Sequence, residues 1–259
     1  MLRRARTFAA VHAAALPLLA AAACSPATPE GAMRETAASA PPAASAAAAA
    51  DTGDAAGDAA FGEWRPLFDG RSLAGWRGFR SEEPPAGWQA VDGSLVRVGG
   101  GGDLLTVEEF DDFELSLDWK VGPGGNSGVM FRVARDGDET YHTGPEMQVL
   151  DDAGHADGRS RLTAAGSAYG LYPAPEGVVR PAGEWNEARL LVRGGHVEQW
   201  LNGTKTAEYE IGSPDWERRV RESKFAAWPR YGRVPRGHIV LQDHGDRVEY
   251  RNVRIRTPR

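Results

Sequence analysis

The 259 residues contain a single cysteine, Cys24, so no disulfide can form within the chain and stability must come from an apolar core. Long apolar runs are equally scarce. The one at residues 8–23 is shorter than the roughly 20 residues that cross a bilayer, and nothing comparable follows it. Basic charge is not in excess: 30 Lys and Arg stand against 36 Asp and Glu, a formal net charge of -6 that removes the electrostatic footprint of a nucleic-acid binder. The glycine run at residues 99–102 lacks the lysine and helix start of a phosphate loop and reads as a turn. Ser127 and Ser167 stand in no nucleophile-elbow pattern, which argues against a serine triad, and His155 with Asp157 matches no common zinc spacing.

What is present starts at the N-terminus. Arg3, Arg4 and Arg6 precede the apolar run, which closes on Ala21, Ala22 and Ala23 before Cys24, the layout of a secretory signal. Its end resembles a bacterial lipobox, with Ala21 where leucine usually stands. Residues 1–24 are therefore read as a signal peptide with Cys24 as the lipidation site. The protein is expected to be exported, either membrane-anchored through the lipid or periplasmic. Residues 25–60 are almost wholly Ala, Pro, Ser, Thr, Gly and acidic residues, with Met33 the only large apolar side chain. Such a composition cannot bury a core and predicts a disordered linker. Aromatic residues begin at Phe61 and Trp64, which places one folded domain at residues 61–259.

Within that domain apolar and polar residues alternate in short segments between turns. Phe113, Leu115, Leu117 and Trp119 alternate with Glu114, Ser116, Asp118 and Lys120, and Val129, Phe131 and Val133 alternate around Met130 and Arg132. Further strands are predicted at residues 94–98, 146–150, 188–192, 196–201, 238–242 and 248–255, with a turn at Asn202-Gly203. One short helix is predicted at residues 213–223, where Ser213 caps and Pro214 fills the first turn. Many short strands without a βαβ rhythm predict an all-β fold, an antiparallel jelly-roll β-sandwich with a concave sheet wide enough for a sugar chain.

The segment from Tyr141 to Asp152 concentrates chemistry. On a strand Glu146 and Gln148 share one face, while Met147 and Val149 take the other and enter the core. The same parity puts Asp118 and Arg132 on the polar faces of their strands. If the three strands are neighbours, Asp118, Arg132, Glu146 and Gln148 form one polar patch; a solvated face with cross-strand ion pairs fits the pattern equally. His238, Gln242 and His244 share a face in a second cluster, and a histidine beside an acid suits proton transfer near neutral pH. Eight tryptophans serve core packing for the most part, with one or two expected to stack on sugar C–H faces.

Four motifs in order carry a resemblance. Leu67-Phe68-Asp69-Gly70 with Leu73 and Gly75-Trp76, Asn126-Ser127-Gly128-Val129 with Phe131-Arg132, the stretch Glu146 to Asp152, and Leu241 to Gly245 leading to Tyr250–Ile255 together resemble the 3-keto-disaccharide hydrolase domain family. The match runs from about Glu63 to Ile255. It departs at residues 165–170 and at His155-Ala156-Asp157, loops that bear on substrate choice.

The resemblance implies a concanavalin A-like jelly roll that hydrolyses 3-keto-glycosides or 3-keto-disaccharides. A ketone at carbon 3 acidifies the hydrogen on carbon 2, so a base removes it, the carbon-1 substituent leaves, and water adds back. Base and acid are assigned between Glu146 and His244 without an order. Arg132 or a bound divalent metal ion stabilises the enolate, and no other cofactor is called for. Asn126, Gln148 and Gln242, with Asp151 and Tyr169, are the substrate-binding set. The expected partners are a carbohydrate and, through Cys24, a membrane; no nucleic acid is expected. Two other readings suit the same sandwich: a non-catalytic carbohydrate-binding module, and a conventional glycosidase pairing Glu146 with Asp118 or Asp151.

Overall fold

The computed structural model describes residues 61–259. The signal at 1–24, Cys24 and the linker at 25–60 lie outside the described residues. In chain order the strands are β1 Arg65–Pro66, β2 Trp76–Gly78, β3 Trp88–Val91, β4 Ser94–Arg97, β5 Leu104–Phe110, β6 Phe113–Val121, β7 Asn126–Val133, β8 Glu146–Leu150, β9 Asn186–Arg193, β10 His196–Leu201, β11 Thr204–Glu210, β12 Gly237–Leu241 and β13 Val248–Arg256. They form two antiparallel sheets. One has five strands in the order β2-β5-β12-β7-β8; the other has eight, β11-β10-β9-β6-β13-β4-β3 with β1 alongside β13. This is the predicted jelly-roll sandwich.

The alternation read from the sequence builds the interior. Phe113, Leu115, Leu117 and Trp119 of β6 meet Val129 and Phe131 of β7 and Met147 and Val149 of β8 in one core. Each fully buried side chain of this kind contributes roughly 1.5–3 kcal/mol. The helix, α1, spans Pro214–Arg221; Ser213 Oγ accepts a hydrogen bond from the Trp216 N–H at 3.2 Å, and Trp216 and Val220 are buried. Trp76, Trp88, Trp119 and Trp216 belong to the core, whereas Trp64, Trp185 and Trp200 lie beneath arginine or lysine cations.

The single polar patch does not form, and for Asp118 the solvated face with a cross-strand ion pair holds instead. Asp118 lies on β6, in the eight-stranded sheet, where its carboxylate accepts from Arg251 at 3.0 Å and Asn252 at 2.8 Å. Glu146 is on the five-stranded sheet, and since the inward faces of β6 and β8 carry the core, Asp118 and Glu146 project from opposite sides of the sandwich. Arg132 leaves the patch for a different reason. Between β12 partners His238 and Val240, β7 runs from Val133 to Met130, one residue more than its neighbour, and Arg132 takes a φ of 54°. This is a β-bulge. It lets Met130 and Val133 share one apolar cluster, and it turns the Arg132 guanidinium to donate to the Gly194 carbonyl.

Candidate active site

All residues of β7 and β8 are buried, although strict alternation predicts one solvated face. Loops cover that face. The segment at residues 166–169 runs along the free edge of β8: the Gln148 N–H donates to the Ser167 carbonyl at 3.1 Å, Gly166 N–H to the Gln148 carbonyl at 2.9 Å, and Tyr169 N–H to the Glu146 carbonyl at 3.0 Å. The 3-10 turns Thr140–His142 and Lys224–Ala227 contribute Tyr141, Lys224 and Phe225. Between them lies a cavity of about 170 Å³, with Asn126, Glu146, Gln148, Tyr169, Gln242 and His244 in its wall. It is smaller than the roughly 300–1,000 Å³ of drug-sized sites, a space for one ring and not for a chain.

Gly128 makes room for the Glu146 carboxyl. It stands opposite Gln148 in register, and a Cβ added there would fall 1.9 Å from Glu146 Oε1 and 2.6 Å from its Cδ. The carboxyl of Glu146 therefore rests directly over the strand, a close approach that only glycine permits. Glu146 is 8% exposed. Burial pushes its carboxyl up to about 8; Lys224 opposes the rise, and Asp103 and Asp157 add to it. At neutral pH this group holds its proton. Beside it Asn126 Oδ1 and both amide atoms of Gln148 are buried without a hydrogen-bond partner. An unsatisfied buried polar group costs about 1–3 kcal/mol, so a water or a polar ligand that meets these three stabilises the wall.

The loop after β12 is clamped. Ser127 Oγ donates to the Gln242 carbonyl at 2.7 Å, Gln242 N–H donates to the Gly128 carbonyl at 3.0 Å, and Asp243 N–H donates to Asp103 Oδ1 at 2.8 Å. Asp243 itself accepts from Arg97 and from the Gly102 N–H. Asp103 also accepts from Thr140 Oγ1, so one half-buried carboxyl ties the His244 loop to the turn that bears Tyr141. Burial raises the pKa of Asp103 against the pull of those hydrogen bonds. His244 is exposed at the rim, its ring 6.4 Å from that of His155. The Tyr169 hydroxyl donates to Asp157 at 3.2 Å, and burial, then Asp157 and Glu146, push its pKa up to about 12.

The structure thus gathers Asn126, Glu146, Gln148, Tyr169, Gln242 and His244 around one space. Arg132 and Asp151 do not line it. Asp151 holds turns, accepting from Gly124 N–H at 2.8 Å and Ala153 N–H at 3.3 Å. His238 donates through Nδ1 to the Thr106 carbonyl at 2.8 Å and is structural. No tryptophan lines the cavity; its aromatic wall is Tyr141, Tyr169 and Phe225. Sequence reasoning passed over Lys224, which follows a charged helix and reads there as one more surface lysine. Tyr141 lay inside the segment it singled out, without a role.

A divalent cation does not fit this wall. Among the described residues Glu146 is its one carboxyl, and the amides and His244 offer no converging anionic set. Among the described residues the group that could hold an ion is His196, Glu198 and Glu208 on β10 and β11, in the other sheet, where Lys205 Nζ already bonds Glu198 at 2.9 Å and Glu208 at 2.8 Å.

Neutral amides and a proton-bearing carboxyl recognise hydroxyl groups, and the histidine at the rim adds a site for proton transfer. On a jelly-roll sandwich this set suits a carbohydrate, and similarity to a known disaccharide hydrolase makes the chain a carbohydrate hydrolase. Residues 63–256 match the profile of the 3-keto-alpha-glucoside-1,2-lyase-like domain, and the chain belongs to that family. It is 33% identical over 222 residues to the 3-keto-disaccharide hydrolase of Bacteroides thetaiotaomicron, covering 73% of this chain and 77% of that protein. A crystal structure of an inferred glycosyl hydrolase from Parabacteroides distasonis superposes with a TM-score of 0.70 at 34% identity, over 76% of this chain and 94% of that one. A second from the same organism gives a TM-score of 0.60 at 29% identity, over 76% and 100%.

Proposed function

We propose that this protein cleaves glycosides whose sugar carries a ketone at carbon 3, by elimination followed by addition of water. The observation that carries the reading is Glu146, a carboxyl held neutral in a ring-sized cavity with no second carboxyl among the described residues that line it. Ordinary glycosidases use two carboxyl groups roughly 5–10 Å apart across the scissile bond. Asp118 projects from the far side of the sandwich and Asp151 is engaged with backbone N–H groups, so neither serves as partner. Elimination asks instead for one acid and one base.

Glu146 suits the acid, because its proton is present at neutral pH and transferable to the departing oxygen. His244, at the rim and without a hydrogen-bonded carboxylate among the described residues, suits the base at carbon 2. Asn126, Gln148 and Gln242 orient the ring hydroxyls. The enone left on the sugar then takes water at carbon 1 and a proton at carbon 2, which completes a net hydrolysis. The lipobox-like ending at Cys24 supports an exported, lipid-anchored enzyme.

Purified protein incubated with matched 3-keto and unoxidised disaccharides tests this. Free sugar released from the keto substrate alone is the expected result. Release from the unoxidised sugar would favour a conventional glycosidase, and binding without any product a carbohydrate-binding module.

A further inference from the structure

Removal of the carbon-2 proton sends the carbonyl electron pair onto the carbon-3 oxygen, and that negative charge needs a partner. Arg132 is turned away and the wall does not fit a metal, which leaves the charge unmet by the residues the sequence suggested. We propose that Lys224 meets it: its ammonium, at the mouth of the cavity over the face of Tyr169, stabilises the enolate oxygen on carbon 3. This inference rests on the elimination reading above.

Three observations carry it. Lys224 lines the cavity and is the only lysine or arginine among the described residues that does. Its Nζ lies 4.4 Å from the Tyr169 ring centroid and 5.3 Å from that of Phe225, and no carboxylate pairs with it among the described residues. A cation held over a ring and not paired with a carboxylate remains available to an anion that forms beside it. Its backbone is fixed as well. Ser223 Oγ caps the turn by accepting from Phe225 N–H at 3.2 Å, and Phe225 is buried, its ring 4.0 Å from that of Tyr231. Lys224 is also the largest charge opposing the rise of the Glu146 carboxyl, so its field reaches the group that acts at carbon 1.

The step balances. His244 accepts the carbon-2 proton; the C–H pair becomes the C2=C3 bond and the C=O pair moves to oxygen, where Lys224 holds it. The oxygen pair then re-forms the ketone, the C2=C3 pair shifts to C1=C2, and the carbon-1 to oxygen bond breaks as Glu146 delivers its proton to the leaving oxygen.

Wild type, Lys224→Met and Lys224→Arg are compared on a 3-keto-glucoside with a nitrophenyl leaving group, with kcat, KM and exchange of the carbon-2 hydrogen for solvent deuterium measured separately. Removing one stabiliser of a developing oxyanion typically costs about 10²–10³ in kcat. Lys224→Met is expected to lose that much in both kcat and exchange, with KM changed less than fivefold or so. Lys224→Arg, which keeps the cation, is expected within about tenfold of wild type in kcat. Because Lys224 is exposed, melting curves of the variants should match wild type. A kcat for Lys224→Met within threefold of wild type overturns the proposal, and so does borohydride trapping of the substrate on Lys224, which would make it an imine-forming nucleophile. Wild type inert toward the keto-glucoside but active on its unoxidised parent overturns the elimination reading itself, a failure seen before any variant is made.

Discussion

Replacing Glu146 by glutamine should stabilise this protein, and increasingly so as pH rises. The native carboxyl is held at about 8 against an ordinary 4.5. Between these values the folded protein keeps a proton that the unfolded chain has lost, so the folded state binds more protons and stability falls with rising pH. At 1.36 kcal/mol per pKa unit the loss grows to about 3 kcal/mol by pH 7 and levels at about 4–5 kcal/mol above pH 8. Glutamine carries no titrating group and nearly the same volume, so its curve lacks this slope. Urea denaturation of both proteins from pH 4 to 9 isolates the effect, since every other ionising group is common to both. The difference in unfolding free energy should be smallest near pH 4 and should widen by about 3 kcal/mol at pH 7, or roughly 6–12 °C in Tm for a domain of this size. A difference that stays constant across the range would mean that Glu146 ionises normally, and its assignment as the acid would fall with that result.

The same proton predicts the activity profile: kcat/KM should decline above about pH 8, and Glu146→Gln should slow a disaccharide far more than a nitrophenyl glycoside, whose leaving group needs no proton. Gly128→Ala drives a methyl into the Glu146 carboxyl, so turnover should drop at least 100-fold or so for a stability loss of about 1–3 kcal/mol, readable by parallel kinetics and melting. Arg132→Met should show the reverse, with kcat within about threefold of wild type and stability lower by about 1–3 kcal/mol, because its guanidinium serves the Gly194 carbonyl and not the cavity. Cys24→Ser should abolish incorporation of labelled palmitate in a bacterial host and release the protein from the membrane fraction; labelling that persists would refute the lipobox reading.

Much of the site was legible because it is local. Glu146 and Gln148 are two residues apart on one strand, so their shared face follows from the period of the backbone alone, and Met147 and Val149 enter the core as that period requires. The cap at Ser213 and the extent of α1 follow from nearest neighbours in the same way. Arg132 was misplaced because one residue with positive φ breaks the period, and a bulge at an arginine leaves no mark in composition. Asp118 was misplaced because parity tells which face a side chain takes but not which sheet its strand joins.

By itself the sequence determined the sandwich, the pairing of acid and amide on β8, and the family to which the motifs point. Only the tertiary structure decided that Glu146 keeps its proton, that Gly128 gives it room, and that Lys224 stands at the mouth of the cavity. The physical reason is common to all three. Strand parity is a property of the local backbone, whereas desolvation and electrostatic field come from whatever long-range folding stacks against it, here the loop at residues 166–169 and the turn Lys224–Ala227.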